Sequence, residues 1–141
     1  MVVRVRVRVR SRASSRSVEL VVLANGGAES AKPCIVVDES TAEKLGLWPP
    51  SKWEVVQVEE ASSISEAFVI DEAVELELLG DRGETLSQIK ADLVVQRGLV
   101  EPLITDVTID ELGIVIVSFG RGLWRHASDP PEVLRKSARS R

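Results

Sequence analysis

The sequence predicts a small, mainly β domain, a barrel or sandwich of seven or more short strands with two short helices. Three observations carry this expectation. Apolar residues recur with period two or in short unbroken runs. Glycine, proline and polar clusters interrupt the chain at short intervals. The helix-like segments are only one or two turns long, too short for the crossovers of a parallel α/β sheet.

In VVRVRVRVR, Val3, Val5, Val7 and Val9 alternate with Arg4, Arg6, Arg8 and Arg10, which predicts a half-buried strand with the arginines on its wet face. SRASSRS follows as a hairpin loop or short linker, and VELVVLA is a second strand, antiparallel to the first. PCIVV is a third, apolar throughout and expected to be buried on both faces. In DESTAEKLGLWPP, Asp38 or Ser40 can cap a short helix, and Ser40 with Glu43 has capping-box spacing. Gly46 suits the helix end, and Pro49-Pro50 forbids its continuation. KWEVVQVEE, EAFVI, AVELELL and LSQIKADLVVQ read as four strands, with GDRG turning the last pair. TDVTIDELG is a second short helix, with Thr105 or Asp106 at its cap and Gly113 at its stop. IVIVSF and GLWRH form a hairpin around GRG, and SDPPEVLRKSARSR, polar and broken by prolines, is expected to fray.

The 141 residues suit one domain, with residues 1–17 as its basic first strand and hairpin loop, 18–126 as the main body and 127–141 as a polar tail. No apolar run approaches a membrane span, and no apolar segment follows the basic start to make a signal peptide. The Arg- and Ser-rich start shares its composition with transit peptides, but its period of two is not theirs. A single cysteine, Cys34, excludes an internal disulfide framework and suits a reducing cytosol, so a cytoplasmic location is expected. One asparagine, few glutamines and abundant Val, Glu and Arg are compatible with a thermophilic source.

The net charge of −4 hides an asymmetry. Residues 1–16 hold six arginines and no acid, and residues 121–141 hold six basic residues against Asp129 and Glu132. The acidic excess therefore lies in the middle of the chain. Basic ends can grip nucleic acid, or they can pair with that acidic middle in the same chain or a partner subunit. The second reading is preferred, because no aromatic platform or groove-reading helix accompanies the arginines.

The segment LANGGAES carries the main candidate site. Asn25 ends the second strand and precedes Gly26, Gly27 and Ala28. Taken alone, Asn-Gly is a strong hairpin-turn signal. A phosphate cradle is disfavoured, since no Lys-Ser/Thr follows the glycines and a strand comes next. His126 is the only histidine, so a zinc triad or a Ser-His-Asp set is not expected and a surface role is. Cys34, inside an apolar strand, reads as packing rather than as a nucleophile. Trp48, Trp53 and Trp124 read as core or interface anchors, with Trp48 beside two prolines also suited to a groove. Glu59-Glu60, Asp71-Glu72 and Asp110-Glu111 read as solvated turns and caps. No cofactor or metal is implied.

Two groups of residues together resemble the retropepsin-like aspartic proteases, single-domain proteins that act as homodimers. Leu23-Ala24-Asn25-Gly26-Gly27-Ala28 is similar to the family's Asp-Thr-Gly-Ala loop, and Ala42-Glu43-Lys44-Leu45-Gly46-Leu47 to the helix end that follows it. Leu103-Ile104-Thr105-Asp106 through Leu112-Gly113-Ile114 keeps the apolar positions of the family's C-terminal strand and helix, with Thr105 in place of a glycine. The resemblance spans roughly residues 18–118. It implies a small closed β-barrel, a homodimer and a flap over substrate, which would fall at EEASSISEAF, with Ser62, Ser63 and Ile64 as candidate flap residues.

The departures decide the function expected. The family's catalytic aspartate aligns with Asn25 and its threonine with Gly26. Two carboxylates sharing a proton are what make an aspartic dyad work, and an amide can neither accept that proton nor carry that charge. Glu29 is the nearest acid in sequence, four residues on. The expectation is therefore a non-catalytic protease-fold domain that binds an extended peptide or protein segment in a dimer cleft. The alternatives are an aspartic-type peptidase with an altered site and a nucleic-acid-associated protein that uses its basic ends.

Overall fold

The Val/Arg alternation builds β1 (Arg4–Ser11), whose valines point inward: Val3, Val5, Val7 and Val9 are at most 1% exposed. In the computed structural model, residues 2–50, 54–59 and 64–139 are described, with side chains for all of these except 54–59 and 64–65. Trp53 and Glu60 lie outside the described residues.

β1 pairs antiparallel with β2 (Ser17–Ala24), as the period-two pattern predicts, and on its other edge with β5 (Ile64–Leu79). The remaining members of this sheet are β3 (Cys34–Val37), β4 (Glu54–Glu59), β6 (Thr85–Gln96) and β7 (Leu103–Ile104). Their order is β1-β2-β7-β3-β6-β5-β4, and the β1–β5 pairing closes the first six into a ring with β4 outside it. β3 is buried at all four positions, as its unbroken apolar run predicts.

EAFVI and AVELELL are one strand, not two. β5 runs for 16 residues and changes partner midway, pairing first with β4 and then with β1. An irregularity between Ile70 and Val74 marks the change. There Glu72 takes a φ of +43°, and its N–H is satisfied by the Asp92 carboxylate at 2.8 Å. A bulge bends a strand without breaking it, which is why the polar Asp71-Glu72 pair imitates a turn in sequence.

Two short helices accompany the sheets, the first against β2 and β6 and the second against the strand that follows it. α1 (Glu39–Lys44) is capped by Asp38, whose carboxylate accepts from Thr41 N–H at 2.9 Å, so Asp38 rather than Ser40 is the cap. It ends at Gly46 with φ +72°. α2 (Asp106–Glu111) ends at Gly113, whose φ is +77° and where an added Cβ would meet the His126 ring at 2.9 Å. Position 113 is thus closed to any side chain, by conformation and by contact.

β8 (Ile114–Ser118), β9 (Leu123–His126) and β10 (Arg135–Lys136) form a second sheet. β10 corrects the expectation of a frayed tail. Arg135 forms a double hydrogen bond to Asp129 at 2.7 and 2.9 Å and sits 5.5 Å from the Trp124 ring centroid. The Arg135 hydrogen bond holds the Asp129 carboxyl down at about 2, well below its ordinary value. Beyond it, Ala138 N–H donates to Arg4 O at 2.7 Å, so the tail is stitched to the start of β1. Prolines and charge argued for disorder, but a bidentate ion pair stacked on a buried indole offsets the chain entropy.

Three of the four arginines of the first strand are paired with acids of the same chain. Arg4 is paired with Glu101 at 2.8 Å, Arg10 with Glu77 at 3.0 Å, and Arg8 with Glu77 at 3.4 Å and Glu19 at 3.7 Å. Burial pushes the Glu77 carboxyl up, but hydrogen bonds from Arg10 and Thr85 and the charges of both arginines outweigh it, and the net shift is downward. Among the described residues Arg6 has no ion-pair partner, and no helix is long and apolar enough to cross a membrane.

This division of β1 predicts an asymmetry under mutation. Val7→Asp places an unpaired charge between Leu20 and Leu78 and is expected to cost more than about 3 kcal/mol in urea unfolding. Arg6→Gln is expected to change stability by less than about 0.5 kcal/mol. Equal losses from the two changes would contradict the assignment of faces.

Candidate functional site

The loop after β2 is the site that the sequence singles out, and its geometry follows from one strand. β7 lies parallel to β2, with Leu23 opposite Leu103 and Ala24 opposite Ile104. It lies antiparallel to β3, with Ile35 opposite Ile104. β7 therefore sits between the two strands that the loop connects. The hairpin reading of Asn25-Gly26 fails on this point, because β2 and β3 are not neighbours.

The loop is fastened at both ends to β7 and to the first turn of α2. Leu23 N–H donates to Pro102 O at 3.0 Å and Asn25 N–H to Ile104 O at 3.1 Å. The turn itself closes when Ala28 N–H donates to Asn25 O at 3.0 Å. The Asn25 side-chain oxygen accepts from Gly27 N–H at 3.1 Å, an Asx turn. On the far side Asp106 N–H donates to Ala28 O at 2.9 Å, and Ser30 N–H donates to the Asp106 carboxylate at 3.2 Å.

Behind the loop lies a chain of hydroxyl groups. Thr105 makes no side-chain capping bond; its Oγ1 stands 2.6 Å from Ser30 Oγ and 2.8 Å from Thr108 Oγ1. Thr108 Oγ1, fully buried, accepts from Cys34 N–H at 2.8 Å and donates to Cys34 O at 3.1 Å. With the Thr108 proton given to that carbonyl and the Ser30 proton given to Lys32 O at 2.7 Å, the one Thr105 proton can serve either of its hydroxyl neighbours but not both. Cys34 is 6% exposed, and burial pushes its thiol up against weaker opposing hydrogen bonds from Thr105 and Ser30. The thiol is thus held in its unreactive form, as the packing reading of Cys34 expects.

The front of the loop is open. Gly26 and Gly27 are exposed, and with Val2, Leu23, Ala24, Asn25 and Phe119 they line a cavity of about 390 Å³. Val2 and Phe119 are 39% and 48% exposed, an apolar rim beside the glycines. Among the described residues neither the Asn25 side-chain NH₂ nor the Gly26 N–H has a hydrogen-bond partner within the chain. The arrangement offers two free donors beside an apolar surface. It can hold a carbonyl or carboxylate oxygen, and none of its described lining side chains is ionisable.

A larger cavity of about 550 Å³ lies across β1, lined by Arg6, Glu19, Asp81 and Lys136 among others. Its charges are of both signs and converge on no common point of chemistry.

The remaining sequence candidates are dispersed or committed elsewhere. Ser62 and Ser63 lie outside the described residues, and Ile64 opens β5. Glu29 is exposed and makes no ion pair among the described residues, so the acid tied to the loop is Asp106. Sequence reasoning placed Asp106 at a helix cap and missed its reach to Ser30, since nothing local pairs residues so far apart in the chain. His126 is 7% exposed rather than on the surface. Its Nε2 lies 3.2 Å from Leu112 O, which can only accept, so Nε2 carries the proton and Nδ1 accepts from Ser128. Trp48 meets Phe68 edge-on at 5.2 Å. Among the described residues no group of three or more His, Cys, Asp or Glu could hold a metal ion.

The chain matches no protein-family model and no curated protein.

The hydroxyl chain makes a clear demand on Thr108. Thr108→Val leaves the Cys34 N–H and C=O buried without partners and is expected to cost about 1–3 kcal/mol in chemical denaturation. Thr108→Ser, which keeps the hydroxyl, is expected to recover more than half of that loss. Equal losses in the two variants would show that the methyl group, not the hydrogen bonds, matters there.

Proposed function

We propose that this chain is a retropepsin-like domain without a catalytic dyad, which binds an extended peptide or protein segment in the cleft of a homodimer. One observation carries the reading. The two segments that resemble the family, LANGG and LITD, come from distant parts of the chain and are hydrogen-bonded side by side, Asn25 N–H to Ile104 O. A chance likeness in two short motifs does not require them to meet.

The ring-like sheet with two short helices supports a small barrel of this type. The exposed Val2 and Phe119 beside the loop supply apolar area for a second copy or a ligand side chain. Asn25 then acts as a donor to a peptide carbonyl, where an aspartate would act as base. Binding of this kind draws affinity from main-chain hydrogen bonds and selectivity from the apolar pocket. The nucleic-acid alternative is the less favoured reading, since Arg4, Arg8 and Arg10 of the first strand are engaged by acids of the same chain.

The test combines light scattering with a peptide-array binding assay and a pepstatin-controlled peptidase assay at acidic pH, on fresh wild type and Asn25→Asp. Wild type is expected to be a dimer that binds extended apolar peptides without cleaving them, and Asn25→Asp to gain pepstatin-sensitive cleavage. A monomer that binds no peptide, or cleavage by wild type with an intact Asn25 amide, would overturn the reading.

A further inference from the structure

We propose that Asn25-Gly26 is a self-modification site, at which the folded protein converts the Asn25 amide to aspartate and isoaspartate without an enzyme. The inference stands on the loop alone and does not depend on peptide binding or on a dimer.

The reaction requires the Gly26 backbone nitrogen to reach the side-chain carbon of Asn25. Gly26 is exposed, and among the described residues its N–H has no acceptor that would hold it in place. An added Cβ at Gly26 would meet no atom of residues beyond its two chain neighbours within 4 Å, so the rest of the fold leaves this residue open space. The leaving NH₂ of Asn25 likewise has no partner there, while the Asn25 side-chain oxygen accepts from Gly27 N–H at 3.1 Å. That hydrogen bond folds the carboxamide back over the following backbone. It also draws electron density from the carbon under attack and stabilises the oxyanion that forms on it, as a backbone donor does in an acyl-transfer site.

The step balances without a redox partner. Gly26 N–H gives its proton to solvent base, its nitrogen bonds to Asn25 Cγ, and the Cγ–Nδ2 bond breaks to release ammonia. Water then opens the five-membered imide. Cleavage of the new N–Cγ bond gives aspartate, and cleavage at the Asn25 backbone carbonyl gives isoaspartate. Either product replaces a donor amide at the cavity mouth by a negative charge.

Closure takes the Asn25 carbonyl into the ring, so the Ala28 N–H bond to Asn25 O that closes the turn yields in this step, while Asn25 N–H on Ile104 O and Asp106 N–H on Ala28 O hold the loop's two ends. Gly26→Ala is a fitting control, because position 26 lies outside the left-handed region and has room for a methyl group. The methyl crowds the ring closure while leaving the fold intact.

The experiment incubates native wild type, Gly26→Ala and a synthetic peptide spanning residues 20–32 in parallel at two pH values either side of neutrality. Peptide mass spectrometry reads the amide-to-acid mass change, and chromatography separates the aspartate and isoaspartate products. Native wild type is expected to convert no more than about tenfold more slowly than the peptide, a barrier difference of about 1.4 kcal/mol. Conversion is expected to be faster at the higher pH and to fall at least about tenfold in Gly26→Ala. An Asn25 amide that survives in the folded protein after the peptide has converted would overturn the proposal. So would a Gly26→Ala rate equal to that of wild type, with circular dichroism showing both folded. Peptide binding by fresh protein, measured separately, bears on the proposed function and leaves this result untouched.

Discussion

The placement of β7 between β2 and β3 is the constraint on which the rest of the molecule depends. Only Leu103 and Ile104 make up this strand, yet they join the β1–β2 hairpin to β3 and so complete the ring. Neighbouring strands lie about 4.8 Å apart, so the loop from β2 to β3 has to span about 10 Å instead of turning tightly. That distance is why Asn25-Gly26 is not a hairpin, and why the ESAKP segment is needed on its far side. The same strand delivers α2 directly behind the loop, so Thr105, Asp106 and Thr108 become its backing.

A second consequence concerns chemistry. Among the described residues, three side chains with catalytic potential are bound into structure. His126 is fixed between Leu112 and Ser128, Cys34 is buried with its thiol raised, and Asp92 braces the β5 bulge. What remains free faces outward around the loop: two donors, two glycines and an apolar rim.

Much of the fold could be read from local pattern, and the failures share a cause. β1, β2, β3, both helices and the β8–β9 hairpin follow from alternation, caps and glycine stops, each a matter of a few adjacent residues. β5 was read as two strands because a bulge and a turn use the same polar residues; only the pairing of its halves with β4 and β1 tells them apart. The tail was read as frayed because its anchors, Arg4 and Trp124, lie far away in sequence. The loop stands out as a candidate by its composition. Its surroundings do not, since Ile104, Asp106 and Thr108 reach it through long-range strand pairing that no local signal encodes.

The central claim, that β7 anchors the loop at Asn25 and leaves it open from Gly26 onward, is tested most directly by native-state amide hydrogen exchange resolved by residue. Asn25 N–H is bonded to Ile104 O, and Gly26 N–H has no acceptor among the described residues. The account predicts an abrupt step, with Leu23 and Asn25 protected to nearly the same extent as the core strands and Gly26 exchanging close to the unfolded rate. Equally fast exchange at Asn25 and Gly26, with the core still protected, would show that β7 does not hold the loop and would contradict the account.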